Sequence, residues 1–205
     1  AWELHGHYPA ILTDAVVGAQ ASELFGDAKA ILERVVAERW LKAKAVVGFW
    51  PATRVGDDIE IQHQGEAIRL HHLRQQADKP VERPNLCLAD FIAPRESGVT
   101  DWIGGFAVTA GLGIEPHLER FRQDNDDYSA IILKALADRL AEALAEYMHR
   151  KVRTELWGYA AGESLDCAAL IDEKYIGIRP APGYPACPDH TAKGGLFKLL
   201  DAEAN

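Results

Sequence analysis

The chain has 205 residues, 48% hydrophobic and 26% charged, proportions of a globular protein long enough to bury a core without disulfide or metal staples. Its formal net charge of −9, from 22 basic and 31 acidic residues, disfavours nucleic acid and membrane surfaces as partners, because both select concentrated Lys and Arg. No apolar run approaches the roughly 20 residues of a membrane span, and three scattered cysteines without a CxxC pair point to reduced, cytoplasmic thiols, with no disulfide framework or zinc ribbon.

The chain begins at Ala1 without signal-peptide character, and its one Met is Met148; we read it as an excerpt of a longer polypeptide. Residues 9–14 lead into a helical pattern, with Asp27 placed to cap a helix whose Ile31, Leu32, Val35 and Val36 fall at helical spacing. Residues 45–50 are short, apolar and β-branched, the pattern of a buried strand, ended by Pro51. Residues 51–58 carry Pro, Gly and paired Asp and read as a loop. Residues 59–62 alternate with period two, and residues 67–73 are placed to pair with them across a turn near Gly65. From His71 to Gln76 the pattern fits a strand end or a helix start equally. Two further strands are expected at 86–92 and 102–109, with Pro94, Ser97 and Gly98 marking the turn between them.

Residues 126–152 form the clearest element. Tyr128, Ile131, Ile132, Ala135, Leu136, Leu140, Ala143, Leu144, Tyr147 and Met148 make one apolar stripe, on a helix about 40 Å long at 1.5 Å per residue. A shorter helix is expected at 165–175 and a last one at 195–203. Between them, residues 179–188 hold Pro180, Pro182, Pro185 and Pro188 and can be neither helix nor central strand. Strands in one cluster with helices before and after argue for an α+β fold: a mainly antiparallel sheet flanked by helices, one of them long and amphipathic.

No GxSxG, Walker, HExxH or post-strand GxGxxG motif is present. His71 and His72 are adjacent and point in different directions, and Cys187 and His190 alone do not make a metal site; a metal-dependent hydrolase is therefore disfavoured. Two constellations remain. Arg179 stands on the proline-stiffened ribbon, pre-organised to grip a carboxylate through two parallel hydrogen bonds; a rigid surface connection whose arginine pairs with a nearby acid fits equally. Asp138, Glu142 and Glu146 share one face of the long helix, where like charges four apart repel. Arg150 can offset Glu146, while Glu142 invites a cation from elsewhere or marks a solvated face. Glu173, six residues before Arg179, is either a second acid at that pocket or an ordinary exposed residue.

Four stretches, in order, carry a resemblance: Arg54-Val55-Gly56-Asp57-Asp58-Ile59-Glu60-Ile61, His71-His72-Leu73-Arg74-Gln75-Gln76, Lys134-Ala135-Leu136-Ala137-Asp138-Arg139-Leu140-Ala141-Glu142 and Gly177-Ile178-Arg179-Pro180-Ala181-Pro182-Gly183-Tyr184-Pro185-Ala186-Cys187-Pro188. Cys87-Leu88-Ala89-Asp90-Phe91 and Trp157-Gly158-Tyr159-Ala160 fit as well. Together they resemble the C-terminal reactivation domain of cobalamin-dependent methionine synthase over nearly the whole chain. The resemblance implies one reactivation domain across 1–205, shortened at both ends, with a twisted, largely antiparallel sheet. It implies S-adenosylmethionine as the ligand bound here and cobalamin held by a neighbouring domain. It further implies a role in methionine biosynthesis: supplying the methyl group for reductive remethylation of cob(II)alamin, with an electron from flavodoxin or a flavoprotein reductase.

By the same resemblance, Arg179 corresponds to the arginine that grips the ligand carboxylate. Glu142 and Glu173 correspond to site acids suited to the ligand's cationic centres, and Ala181 and Tyr184 to pocket positions. No residue is assigned acid–base catalysis, because a sulfonium is already a good leaving group; the isolated piece is not expected to turn over. The alternative is a truncated docking module that binds the cobalamin domain or flavodoxin without S-adenosylmethionine. Docking flavodoxin, itself acidic, would need a local basic patch, for which Arg69, Arg74, Lys79 and Arg83 are the candidates.

Overall fold

The computed structural model describes residues 4–80 and 82–205. The chain divides into two compact units, the first of Ala1–Lys44 and Thr109–Ala145, the second of Ala45–Val108 and Glu146–Asn205. The elements run α1 (Gly18–Ala37), β1 (Lys42–Val55), β2 (Asp58–His63), β3 (Glu66–Leu70), β4 (Asp101–Leu112), α2 (Glu115–Gln123), α3 (Asp127–Lys151), α4 (Cys167–Ile171) and α5 (Ala192–Leu200). The four strands form one antiparallel sheet in the order β3-β2-β1-β4, so the α+β expectation holds. Among the described residues no helix is long and apolar enough to cross a membrane.

The first unit is helical. Helix α1 begins nine residues before Asp27, which lies inside it and accepts a hydrogen bond from the Tyr128 hydroxyl at 2.7 Å. The local start signal is Asp14, whose Oδ1 accepts the backbone N–H groups of Val16 and Val17 at 2.8 and 2.9 Å. Those bonds satisfy donors near the helix start that would otherwise lack partners and hold the Asp14 carboxyl below its usual range. Ile31 and Val35 of α1 pack with Trp40, with Leu118 and Phe121 of α2, and with Ile132 and Leu133 of α3. Trp40 is tied from several sides. Its indole N–H donates to Glu38 at 2.7 Å, its ring stacks on His117 at 4.3 Å, and the guanidiniums of Arg34 and Arg120 lie 4.8 and 4.9 Å from its centroid, a favourable cation–π geometry.

The second unit is built on the sheet. Strand β1 runs through Pro51 and ends at Val55, longer than the pattern predicts. The proline is tolerated because pairing with β2 begins one residue later, at Ala52↔Ile61, so its missing N–H costs no bond on that edge. The expected loop at 51–58 shrinks to a two-residue turn between Val55 and Asp58, where Gly56 takes φ +65°, the conformation such tight hairpins demand. A second hairpin turns at Gln64-Gly65, both at positive φ, and sets Ile59 opposite Leu70 and Ile61 opposite Ile68. Ile59 and Ile61 are completely buried, as their alternation predicts, with Trp50, Ala52, Cys87, Ala89, Ile92, Leu199 and Leu200 around them. Strand β3 stops at Leu70, and residues 71–80 adopt neither strand nor helix.

The expected strand at 86–92 is instead a single 3-10 turn, Leu88–Phe91. Asp90 accepts the Cys87 N–H at 2.9 Å and binds the Arg74 guanidinium through both oxygens, at 2.6 and 2.8 Å. This local carboxylate–backbone bond competes with strand formation. Helix α3 falls within one residue of the predicted 126–152. Its buried face carries Ile132, Leu133, Ala137 and Met148, whereas Tyr128, Ile131 and Tyr147 of the expected stripe stand substantially exposed. Helix α4 is shorter than its expected span and is capped by Asp166, which accepts the Ala169 N–H at 2.8 Å.

Candidate functional site

The second unit gathers an unusual density of polar side chains where α3 ends. Past Lys151 the helix widens into one π-helical turn, Val152–Leu156. Arg153 there is fully buried and meets Glu163 through two bonds, Nε to Oε2 at 2.7 Å and Nη2 to Oε1 at 2.6 Å. This side-on fork keeps the Glu163 carboxyl below its ordinary range and satisfies a charge that burial would otherwise penalise heavily. The same guanidinium sits 4.3 Å over the Tyr175 ring, and His149 meets that ring edge-on at 4.7 Å. Burial, with Arg153 and Arg179 nearby, drives the His149 pKa down to about 3, so its imidazole is neutral at physiological pH.

Arg179, a charged neighbour of His149 and Tyr175, opens the proline-rich ribbon. Tyr184 N–H donates to the Ala181 carbonyl at 3.0 Å, and Cys187 N–H to the Tyr184 carbonyl at 2.9 Å. Gly183 N–H closes the loop onto the Cys187 carbonyl at 2.8 Å. Gly183 has φ +106°, a conformation that favours glycine, and a methyl group built on it would lie 2.7 Å from the ring of the exposed His190, which would have to turn aside. Gly177, at φ +96°, faces the Tyr159 hydroxyl, which a Cβ would approach to 3.1 Å. Cys187 is buried at 4.0 Å from His72 Nδ1, and burial raises the pKa of its thiol. The cysteine is packing, with the thiol kept neutral.

Arg179, Ala181 and Tyr184 therefore share one stiff segment, and Glu173 precedes it, all in the second unit. Arg179 does not stand alone: its Nη2 bonds Glu146 Oε1 on the last turns of α3. The expected Glu146–Arg150 pair is replaced by this long-range one. Tyr184 is 58% exposed, and Ala181 is exposed beside it, so the ribbon offers its outer face to solvent. Glu173 is exposed and takes φ +53° just past α4, a conformation that costs a side-chain-bearing residue about 1 kcal/mol; its charge and that of Arg179 both act on Tyr175. Glu142 belongs to the first unit and pairs there with Arg139 at 2.8 Å. The cation that sequence reasoning wanted for this acid comes from its own helix.

Sequence reasoning missed Arg153, Glu163, His149 and Tyr175 altogether. Nothing in spacing or motif marks them, because their partners lie 10 to 26 positions away along the chain (163 minus 153, and 175 minus 149) and meet only through folding. Two of the four residues of the expected basic patch are paired with acids. Arg69 donates to Glu60 at 2.8 Å, and Arg74 is held by Asp57 and Asp90 together.

A family model described as "Vitamin B12 dependent methionine synthase, activation domain" matches residues 1–205. Among solved structures, the crystal structure of the MetH reactivation domain bound to AdoHcy is similar over 98% of this chain, at 53% identity and a TM-score of 0.88. The chain spans 62% of the length of that relative.

Proposed function

Because the chain belongs to the family of vitamin B12-dependent methionine synthase activation domains, we propose that it binds S-adenosylmethionine on the outer face of the 179–188 ribbon. In the parent enzyme it would present the ligand's methyl group for reductive remethylation of cob(II)alamin, within methionine biosynthesis. The observation that carries this reading is Arg179, a guanidinium fixed by prolines on one side and an acid on the other, in a chain 53% identical to a relative bound to AdoHcy. A carboxylate fits such an arginine by two parallel, charge-assisted hydrogen bonds.

The remaining roles are those that the family resemblance implies. Glu173, in the same unit as the ribbon, is an acid suited to the ligand's cationic centres, and Glu142 is a further acid that the resemblance implies. Ala181 supplies backbone polar groups without side-chain bulk, and Tyr184 an exposed aromatic face. Cobalamin, held by a neighbouring domain, supplies the nucleophilic metal. This chain's residues bind and orient the methyl donor, which lowers the barrier by alignment and needs no proton transfer. The cobalamin domain is the expected macromolecular partner, flavodoxin or a flavoprotein reductase the expected electron source, and the cytoplasm the expected compartment.

Calorimetric titration of the chain with S-adenosylmethionine, beside Arg179→Ala, tests the reading. Saturable binding by the parent and its loss in the variant support it. Equal binding by both removes the arginine from the site, and no binding by a folded parent removes the ligand. In the docking-module alternative, no binding by the folded parent would be the expected result; of the basic residues suggested for flavodoxin, Arg69 and Arg74 are paired with acids.

A further inference from the structure

A guanidinium has two edges that can each meet a carboxylate: the side edge, Nε with Nη2, and the end edge, Nη1 with Nη2. The chain already contains a worked case of both being used. Arg74 gives its side edge to Asp57, Nη2 to Oδ1 at 2.6 Å and Nε to Oδ2 at 3.3 Å. It gives its end edge to Asp90, Nη1 to Oδ2 at 2.6 Å and Nη2 to Oδ1 at 2.8 Å.

Arg179 repeats half of this arrangement. Its Nη2 bonds Glu146 Oε1, and the two buried polar atoms of the pair without a hydrogen-bond partner among the described residues are Arg179 Nε and Glu146 Oε2. Those are the two atoms that a side-edge fork would join, and here they stay buried and unjoined, so Glu146 holds the guanidinium by the single Nη2 bond from its buried side, with Tyr175 as a further neighbour. The Arg179 side chain is still 26% exposed although Nε is sealed.

We propose that Glu146 is the positioning residue of the carboxylate site: its bond to Nη2 anchors the Arg179 guanidinium from the buried side and thereby turns the remaining donors toward the carboxylate of the amino-acid ligand. This rests on the reading of Arg179 given above. Glu146 itself touches no ligand. Its charge repels the incoming carboxylate through the shared guanidinium, and its hydrogen bond removes the rotamer freedom that a long arginine side chain would otherwise lose on binding. Orientation outweighs repulsion here because the guanidinium charge lies between the two carboxylates, as in the Asp57–Arg74–Asp90 arrangement.

The test compares S-adenosylmethionine with its decarboxylated analogue, titrated calorimetrically into the parent, Glu146→Ala, Glu146→Gln and Arg179→Ala, each first shown to be folded by circular dichroism. Glu146→Ala should weaken S-adenosylmethionine about tenfold, the scale of one charge-assisted hydrogen bond, and leave the decarboxylated analogue within about twofold. Glu146→Gln, which keeps an oxygen to accept from Nη2, should stay within about threefold of the parent for both ligands. Should Glu146→Ala not fold, Glu146→Leu makes the same comparison at closer side-chain volume. Unchanged or tighter S-adenosylmethionine binding by Glu146→Ala overturns the proposal, as does equal weakening of both ligands, which would mark a general structural role. If Arg179→Ala abolishes the preference for the carboxylated ligand while Glu146→Ala keeps it, the positioning role falls and the arginine assignment stands. If Arg179→Ala also keeps it, or the parent binds neither ligand, both fall.

Discussion

Glu173 illustrates how a single residue can be badly suited to its backbone and still be informative. It occupies the left-handed position that follows α4, with φ +53°, where helices commonly end on glycine. Glu173→Gly should therefore stabilise the chain by about 0.5–1 kcal/mol, measured as a higher denaturant midpoint at unchanged slope. If the side chain serves the ligand, the same variant should bind S-adenosylmethionine more weakly; a variant both more stable and equally tight-binding would remove Glu173 from the site. Gly183 makes the opposite case. Alanine there meets the left-handed backbone and the His190 ring together, so Gly183→Ala should lose at least about 1 kcal/mol of stability, read by the same unfolding curve, and deform the ribbon.

At the scale of elements, the 3-10 turn at Leu88–Phe91 depends on one carboxylate. Asp90 accepts from Cys87 N–H and from Arg74, and the Arg74 guanidinium holds its pKa down to about 2. A carboxylate whose folded pKa lies below its unfolded value contributes stability above the unfolded pKa and loses it as pH falls through the folded one. The contribution should be complete above about pH 4 and fade toward pH 2. Asp90→Asn should accordingly be less stable than the parent at pH 7, by about 1–2 kcal/mol, and the gap should close on acidification over that window. A gap constant with pH would mean that the Asn variant loses packing alone. The element also explains why strand periodicity failed there. Leu86, Leu88 and Ile92 have the apolar character of a strand, but a side-chain cap three residues away is a short-range competitor that hydropathy does not register.

For the whole molecule, the second unit's buried polar cluster sets an acid limit. His149 is buried with Arg153 and Arg179 as cationic neighbours, Glu163 as the opposing acid and Tyr175 against its ring; its pKa falls to about 3. The unfolded chain, with an ordinary histidine near 6.5, binds the proton that the folded chain refuses. Stability should therefore rise with pH between about 3 and 6.5 and level off above. Replacing His149 by Phe should flatten that slope in urea unfolding followed at pH 5 and pH 7. An unchanged slope would assign it to other groups. Arg179 is itself one of the cluster's charged neighbours, so acid loss of stability and loss of ligand binding should run together.

What the sequence determined by itself is local or compositional. Helix α3 was legible because 25 residues of good helix formers keep one period, and the β2–β3 hairpin because alternating isoleucines flank a glycine turn. The irregular ribbon was legible because proline removes donors wherever it stands. The family, and with it Arg179, Ala181 and Tyr184 as neighbours, was legible because those residues form one contiguous motif. What tertiary structure decided is every pairing across distance. Glu146 pairs with Arg179 rather than with Arg150 four residues on, Asp90 turns an expected strand into a capped turn, and Arg153, Glu163, His149 and Tyr175 form a buried cluster with no sequence mark. The reason is physical. Backbone propensity and periodicity act within about one or two helical turns, whereas a buried charge must find its partner wherever folding brings one, since leaving it unpaired costs several kcal/mol.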